Sequence, residues 1–351
     1  MPVRTGYEKV IGHRTDDDFC KVAEADGTIT KISNEALTIK YEDGTVKHHP
    51  LGRQFGTWSG KVIPSELVAA VKNGQTVKKG DVLTYNDSFF SKDNISPNEI
   101  IYKGAVLART VLWESDVTLE DSCALSTGLS KHLKTTSTHV RTIMVDQTQS
   151  IINLVNEGDE VNPDTILCTI VNPTSMAASD FDPSTLSSLE NITQLTPRAK
   201  YQGKVERIEA IYTADIDNMS ESLSQIVSIS DGSLYRRQRR LGKNVTEAKV
   251  EMGYRPDGVP MNDEQVAIKV YITGKTGMGT GDKLVLANQM KSTVGRVFEP
   301  ADITDLDGEP IDMVFGYQSI HNRIVSSPEI IGTTSTLSLE IGKLVIEAYD
   351  Q

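Results

Sequence analysis

Lys283 closes the turn Gly281-Asp282-Lys283, and Lys291 follows eight residues later. Glycine lets the backbone turn there, and the lysine is then fixed at a strand end. A second ammonium eight residues on can return to the same side of a small β-barrel. Two cations held together with no paired carboxylate repeat nearby suit a polyanion, either a triphosphate or a nucleic-acid backbone. Spacing alone describes two solvated surface lysines equally well, so the flanking residues must decide.

The elements that position these lysines are strands. Residues 28–32 and 37–41 alternate apolar and polar side chains, and Glu42-Asp43-Gly44-Thr45 supplies a hairpin turn after the second of them. Residues 73–83 (NGQTVKKGDVL) are echoed by residues 157–167 (EGDEVNPDTIL), each reading as turn, strand, turn, strand. This echo is structural and carries no chemistry. The segment 98–112 reads as helix running into strand, with Ile100, Ile101, Val106 and Leu107 spaced for a buried face. Residues 172–196, rich in Ser, Thr, Asp and Pro, read as a surface loop. Residues 204–212 alternate as a strand. The clearest helix is expected over 218–240, with Met219, Leu223, Ile226 and Val227 as its apolar stripe. Arg236, Arg237, Arg239 and Arg240 gather at its end, where cations complement the helix dipole by about 0.3–1 kcal/mol each. That role and a contact to DNA or protein are both open.

The bulk properties set limits. The formal charge is 36 − 48 = −12, so nucleic acid is not gripped through a general positive field. Any cations for that purpose must be focused locally or come from partner chains. Cys20, Cys123 and Cys168 are far apart and odd in number, which fits neither a metal pair nor a disulfide framework and points to a reducing compartment. No stretch has the length of a bilayer span, so the reading is a soluble intracellular chain. Gly274-Lys275-Thr276 lacks the earlier glycine of a P-loop, Lys269 standing in its place, and the six histidines show no metal-ligand spacing.

Around the lysines the pattern extends. Ile268-Lys269-Val270-Tyr271-Ile272-Thr273-Gly274-Lys275, then Gly281-Asp282-Lys283, then Lys291 resembles the catalytic-core segment of the β subunit of multisubunit DNA-dependent RNA polymerases. That family reads roughly V-K-V-Y-I-A-x-K, G-D-K and a second lysine at the same offset. Asp307-Gly308-Glu309-Pro310-Ile311-Asp312-Met313-Val314 resembles its D/N-G-T-P-V-D-I-V stretch, and Arg323 falls where the family has the arginine of P-S-R-M. Leu119-Glu120-Asp121-Ser122 is similar to the end of its G-Y-N-F-E-D-S motif. The four signatures occur in the family's order.

The resemblance implies a mainly β fold with some α: a double-psi β-barrel contributing half a catalytic site, with an inserted flap of barrel-sandwich-hybrid type. Residues 1–98 would be a β-rich region leading into the barrel and 99–140 its first part. Residues 141–265 would be the flap, 266–332 the second part of the barrel, and 333–351 a C-terminal tail. It implies nucleotidyl transfer, with Lys283 and Lys291 near the RNA 3′ end and the incoming nucleotide. Arg323, a planar fork, would meet the β- or γ-phosphate, with Lys291 also on the phosphates. Glu120 and Asp121 would lie near the second, nucleotide-borne Mg²⁺, Asp121 reaching it through water. The other reading of Glu120-Asp121-Ser122 is a cap for a helix starting near Cys123. Read as strand residues, the two carboxylates point to opposite faces and do not chelate one metal together.

The family's main Mg²⁺ site is N-A-D-F-D-G-D on its β′ subunit, and nothing here matches it. The likeness of residues 305–309 to it is that of a hairpin turn. The chain is therefore expected to be inactive alone. Its expected partners are a β′-like subunit, further β fragments carrying the N-terminal lobes and the C-terminal clamp part, the DNA template, the RNA product, nucleoside triphosphates and an initiation factor at the flap. Membranes are not among them. The length fits a split subunit from a large bacteriophage, acting in the cytoplasm of the bacterial host with packaging in the virion left open, and fits an artificial truncation as well. Departures from the family are Ala287-Asn288-Gln289 for Arg-His-Gly, Asp116-Val117-Thr118-Leu119 near G-Y-N-F, and His321-Asn322 for Pro-Ser. Those at 116–119 and 287–290 motivate another reading, a non-catalytic, polymerase-derived scaffold or promoter-binding module; a third reading is a β-rich virion structural protein.

Overall fold

Leu284, Leu286, Met290, Ser292 and Val294 turn one way and Lys283, Val285 and Lys291 the other, and this alternation folds residues 283–298 into a hairpin. The computed structural model describes residues 6–58, 61–93, 96, 99–172, 195–287 and 289–350. It is mainly β with a few helices and divides into two units: Met1–Lys21, Asp87–Thr135 and Thr276–Gln351 form the first, Val22–Asn86 and Thr136–Lys275 the second.

In the first unit the hairpin is one side of a five-stranded sheet. The order is Thr110–Leu112, Met313–Phe315, Ser122–Ser126, Met290–Phe298, Lys283–Leu286. Thr110–Leu112 runs parallel to Met313–Phe315, and Ser122–Ser126 runs parallel to Met290–Phe298 with a register shift between Cys123 and Ala124; the other two pairings are antiparallel. The central strand is covered on both faces, as a strand with parallel neighbours usually is. Cys123 and Leu125 pack with Met290, Val294, Met313, Phe315 and Ile320 on one side, and Ala124 packs with Phe298 and Val314 on the other. Two glycines permit the close approach. A Cβ at Gly316 would lie 2.2 Å from the Thr118 carbonyl oxygen, and one at Gly295 would lie 2.7 Å from that of Val117.

The second unit holds two cores built alike. Ile29, Val77 and Leu83 belong to one, and Val205, Val161 and Leu167 to the other. The sequence echo is reproduced bond for bond. Lys72 N–H donates to Gln75 Oε1 (2.9 Å) as Asn156 N–H does to Asp159 Oδ2 (2.8 Å), and Lys78 N–H to Asp81 Oδ2 (2.8 Å) as Asn162 N–H to Thr165 Oγ1 (2.9 Å). Gly74 N–H reaches Ile29 O at 2.9 Å, and Gly158 N–H reaches Val205 O at 2.7 Å. The strand that completes each copy precedes the echo in the first (Gly27–Ile32) and comes after it in the second (Gly203–Tyr212). The helix Glu221–Arg240 lies on Gly203–Tyr212. Leu223 and Val227 are fully buried, and Ser230 Oγ accepts the Ala210 N–H at 2.9 Å.

Several expectations are corrected. Residues 99–112 form no helix: Ile100–Tyr102 pairs with Phe90–Lys92, and Val106 and Leu107 are exposed. No helix begins near Cys123, because Ser122–Ser126 is the central strand; the next helix, Thr127–His132, is capped instead by Ser126 Oγ. The strand Gln265–Thr276 falls almost wholly in the second unit. The tail is a helix, Ser327–Asp350. The surface loop expected at 172–196 lies almost entirely outside the described residues. Among the described residues no helix is long and apolar enough to cross a membrane.

Candidate functional site

The Gly-Asp-Lys turn is held by its own aspartate. Gly281 takes φ 93°, Asp282 Oδ2 accepts the Gly279 N–H at 2.8 Å, and Asp282 O accepts Val294 N–H at 2.8 Å. That carboxylate is thus occupied by the turn and leaves Lys283 free. Lys283 stands opposite Thr293, and Lys291 opposite Val285 two residues along. Residues on one face at such a diagonal have Cβ atoms roughly 7–8 Å apart, within mutual reach of long side chains. Both lysines are exposed and, among the described residues, neither makes an ion pair.

Thr293 links this hairpin to the acidic turn. It pairs with Ser122 in the parallel ladder, and its N–H donates to Asp121 O at 2.9 Å. Asp121 is not a strand residue. Its φ of 62° places it in a left-handed turn before Ser122, so Glu120 and Asp121 are not the opposite-facing pair that a strand would make of them. Asp121 N–H donates to Ser319 Oγ at 2.8 Å, and Arg323 Nη2 donates to Asp121 Oδ1 at 2.6 Å. Arg323 caps the C-terminal end of the helix Tyr317–Asn322, whose Gln318 N–H is accepted by Glu114 Oε1 at 2.6 Å. Thr293 thus bonds the lysine-bearing hairpin to the turn that holds Asp121, and Asp121 in turn holds Arg323. Glu120 is exposed beside them and has no partner among the described residues.

The Asp121–Arg323 pair and the anchoring role of Ser319 were not read from the sequence. They depend on segments 202 residues apart, and no local signal announces them. Among the described residues these donors form no metal cage of their own, so a Mg²⁺ here would be shared with phosphate or water. Asp121 Oδ1 is taken by a guanidinium, and no group of three His, Cys, Asp or Glu side chains is arranged for a metal among the described residues.

The other sequence features resolve into structure. Of the four helix-end arginines, Arg237 pairs with Glu209 (3.2 Å), Arg240 with Glu35 (2.5 Å), and Arg236 turns back to Gly232 O and Ser233 Oγ. Glu209 also accepts from Tyr271 OH at 2.9 Å and pairs with Arg207, which stacks over the Phe55 ring. Burial and the neighbouring Arg237 pull the Arg207 guanidinium below its ordinary value. The Asp305-to-Glu309 segment is a turn, its Asp307 and Glu309 N–H groups both accepted by Asp305 Oδ1. Burial raises the thiols of Cys20 and Cys168 to about 11 and also raises that of Cys123, which removes them as nucleophiles.

No protein-family model matches the chain. It is 22% identical over 333 residues to the DNA-directed RNA polymerase subunit beta of Thermus thermophilus, covering 92% of this chain and 27% of the relative. The subunit of Thermus aquaticus is 21% identical with the same coverage, and that of Mycoplasmopsis pulmonis is 23% identical over 337 residues, covering 92% and 25%. The chain is similar to part of an RNA polymerase β subunit. It spans about a quarter of the curated relatives it matches. With 92% of the chain covered, the similarity reaches into both units of the fold.

Proposed function

We propose that this chain supplies the β side of the nucleotidyl-transfer site of a DNA-dependent RNA polymerase, and that its first unit is the double-psi β-barrel half of that site. The observation that carries the reading is the register of the Lys283–Leu286 and Met290–Phe298 hairpin. It sets two unpaired ammonium groups on one exposed face, and Thr293 joins that face to the turn holding Asp121 and Arg323. Such an array suits phosphoryl transfer, where positioned phosphates and fixed cations do most of the work. The RNA 3′ oxygen forms a bond to the α-phosphorus, the α–β bridging bond breaks, and pyrophosphate leaves. Lys283 and Lys291 offset the charge developing around the α-phosphate and the RNA end, and Arg323 holds the β- or γ-phosphate oxygens. Mg²⁺ belongs to a β′-like partner bearing N-A-D-F-D-G-D, so this chain alone makes no RNA. Template DNA, product RNA, further β fragments and an initiation factor at the flap complete the assembly.

Isolation of the tagged chain from its native source tests this. The expected result is a co-purifying chain with the N-A-D-F-D-G-D motif and DNA-dependent RNA synthesis in the eluate. A scaffold or promoter-binding role is favoured by Ala287-Asn288-Gln289, where the side chain of Gln289 is turned onto Ser327 Oγ. That role predicts polymerase partners whose RNA synthesis is indifferent to Lys291. A virion structural protein would self-assemble without such a partner.

A further inference from the structure

We propose that Asp121 is a positioning residue for Arg323: its carboxylate holds the guanidinium in place for the terminal phosphates of a nucleoside triphosphate. This rests on the phosphate-binding reading of the site and adds to it a task for Asp121 other than reaching a metal.

Three observations converge on the pair. The Asp121 backbone is fixed from two sides. Its N–H is held by Ser319 Oγ, on a fully buried serine of the arginine-bearing helix, and its carbonyl is held by Thr293 of the lysine-bearing hairpin. Asp121 sits at a left-handed backbone position, φ 62°, while Arg323 keeps right-handed angles as the helix C-cap and Ile324, directly after it, turns left-handed at φ 53°. A β-branched residue rarely adopts that conformation, so the fold is forcing the direction in which the chain leaves the helix just after Arg323. The contact itself is a single Nη2–Oδ1 bond at 2.6 Å. Arginine carries five N–H donors, so one bond restrains the side chain and leaves most of the fork for phosphate.

Stability gives little reason for the pair. The side chains are 40% and 51% exposed, and exposed ion pairs contribute little to folding. Holding a rotamer-rich arginine in its binding position, by contrast, lowers the entropy lost when an anion arrives.

The test measures binding of inorganic tripolyphosphate to the purified chain by calorimetry. Asp121→Asn keeps an oxygen that accepts from Arg323, and Asp121→Ala removes it. Both remove the same negative charge, so their comparison isolates the positioning bond. The expected result is that the Asn variant binds roughly fivefold more tightly than the Ala variant, the scale of one net hydrogen bond. In an Arg323→Ala background that difference should vanish. The ¹⁵N signals of the Arg323 guanidinium should show restricted rotation in the parent and Asn forms and free rotation in the Ala form. Equal binding by Asn and Ala variants, with Arg323→Ala still weakening both, overturns the positioning role alone. An Arg323→Ala chain that binds as well as the parent, or a parent that does not bind tripolyphosphate, overturns the phosphate reading beneath it.

Discussion

Replacing Lys291 by methionine removes one positive charge while keeping an unbranched stem of similar reach. The ammonium is exposed and unpaired among the described residues, so folding loses nothing it was using, and stability should move by no more than about 0.5 kcal/mol. The loss in function is set by electrostatics. A unit charge about 4 Å from a phosphate oxygen is worth about 1 kcal/mol in water and about 4 kcal/mol at an effective dielectric near 20. The bare hairpin face is closer to the first limit, and the assembled site, covered by nucleotide, RNA end and partner subunit, is closer to the second. Single-nucleotide addition by the assembled enzyme should therefore fall roughly tenfold to a thousandfold. Lys283→Met should act in the same direction, since Lys283 shares that face. The assay is rapid-quench extension of a labelled RNA primer, with assembly checked by gel filtration. Parent-level extension by both variants would refute the placement of these lysines at the reacting phosphates.

Further outcomes come from the geometry. Gly316→Ala should destabilise the first unit by about 2 kcal/mol or more in urea unfolding, because the new methyl meets the Thr118 carbonyl at 2.2 Å and both groups are backbone-fixed. Ala287→Gly should stabilise by up to about 1 kcal/mol: Ala287 has φ 47°, and relief of left-handed strain of about 1–2 kcal/mol outweighs the entropy glycine adds to the unfolded chain. Glu209→Gln should lower stability by about 1–3 kcal/mol in guanidinium unfolding, since it removes the negative charge shared by Arg207 and Arg237 and leaves one acceptor oxygen where three donors now meet two. The Cys168 thiol ionises near 11 when folded and near 9 when unfolded, so its contribution to stability is whole below pH 9 and is lost as pH rises toward 11. Cys168→Ser should flatten that part of the stability profile, and the parent thiol should resist iodoacetamide at pH 8 until the chain is unfolded.

What the sequence made legible was local. Lys283 begins a strand because glycine and aspartate build the turn before it between themselves. The helix near 218–240 starts at Glu221 because Ser220 caps it, and its apolar stripe is buried as the spacing required. The echo at 73–83 and 157–167 repeats because the same turn bonds recur. What was not legible depends on distant pairing. Val106 and Leu107 carry a helical spacing, but Ile100–Tyr102 is drawn into a hairpin with Phe90–Lys92, and Thr110–Leu112 pairs with Met313–Phe315. Asp121 reads equally as strand, cap or turn until Ser319 and Thr293 close on its backbone. The type of each site residue was visible early, whereas the pairing of Asp121 with Arg323 became visible only with the sheet assembled.

Affinity labelling tests the central claim most directly. An aldehyde-bearing polyphosphate nucleotide, bound to the assembled enzyme and reduced with borohydride, condenses with whichever amine lies beside the phosphates. Peptide mapping should recover the label on Lys283 or Lys291, and excess unlabelled nucleoside triphosphate should abolish it. Label confined to other lysines of the chain, or to none, would contradict the account.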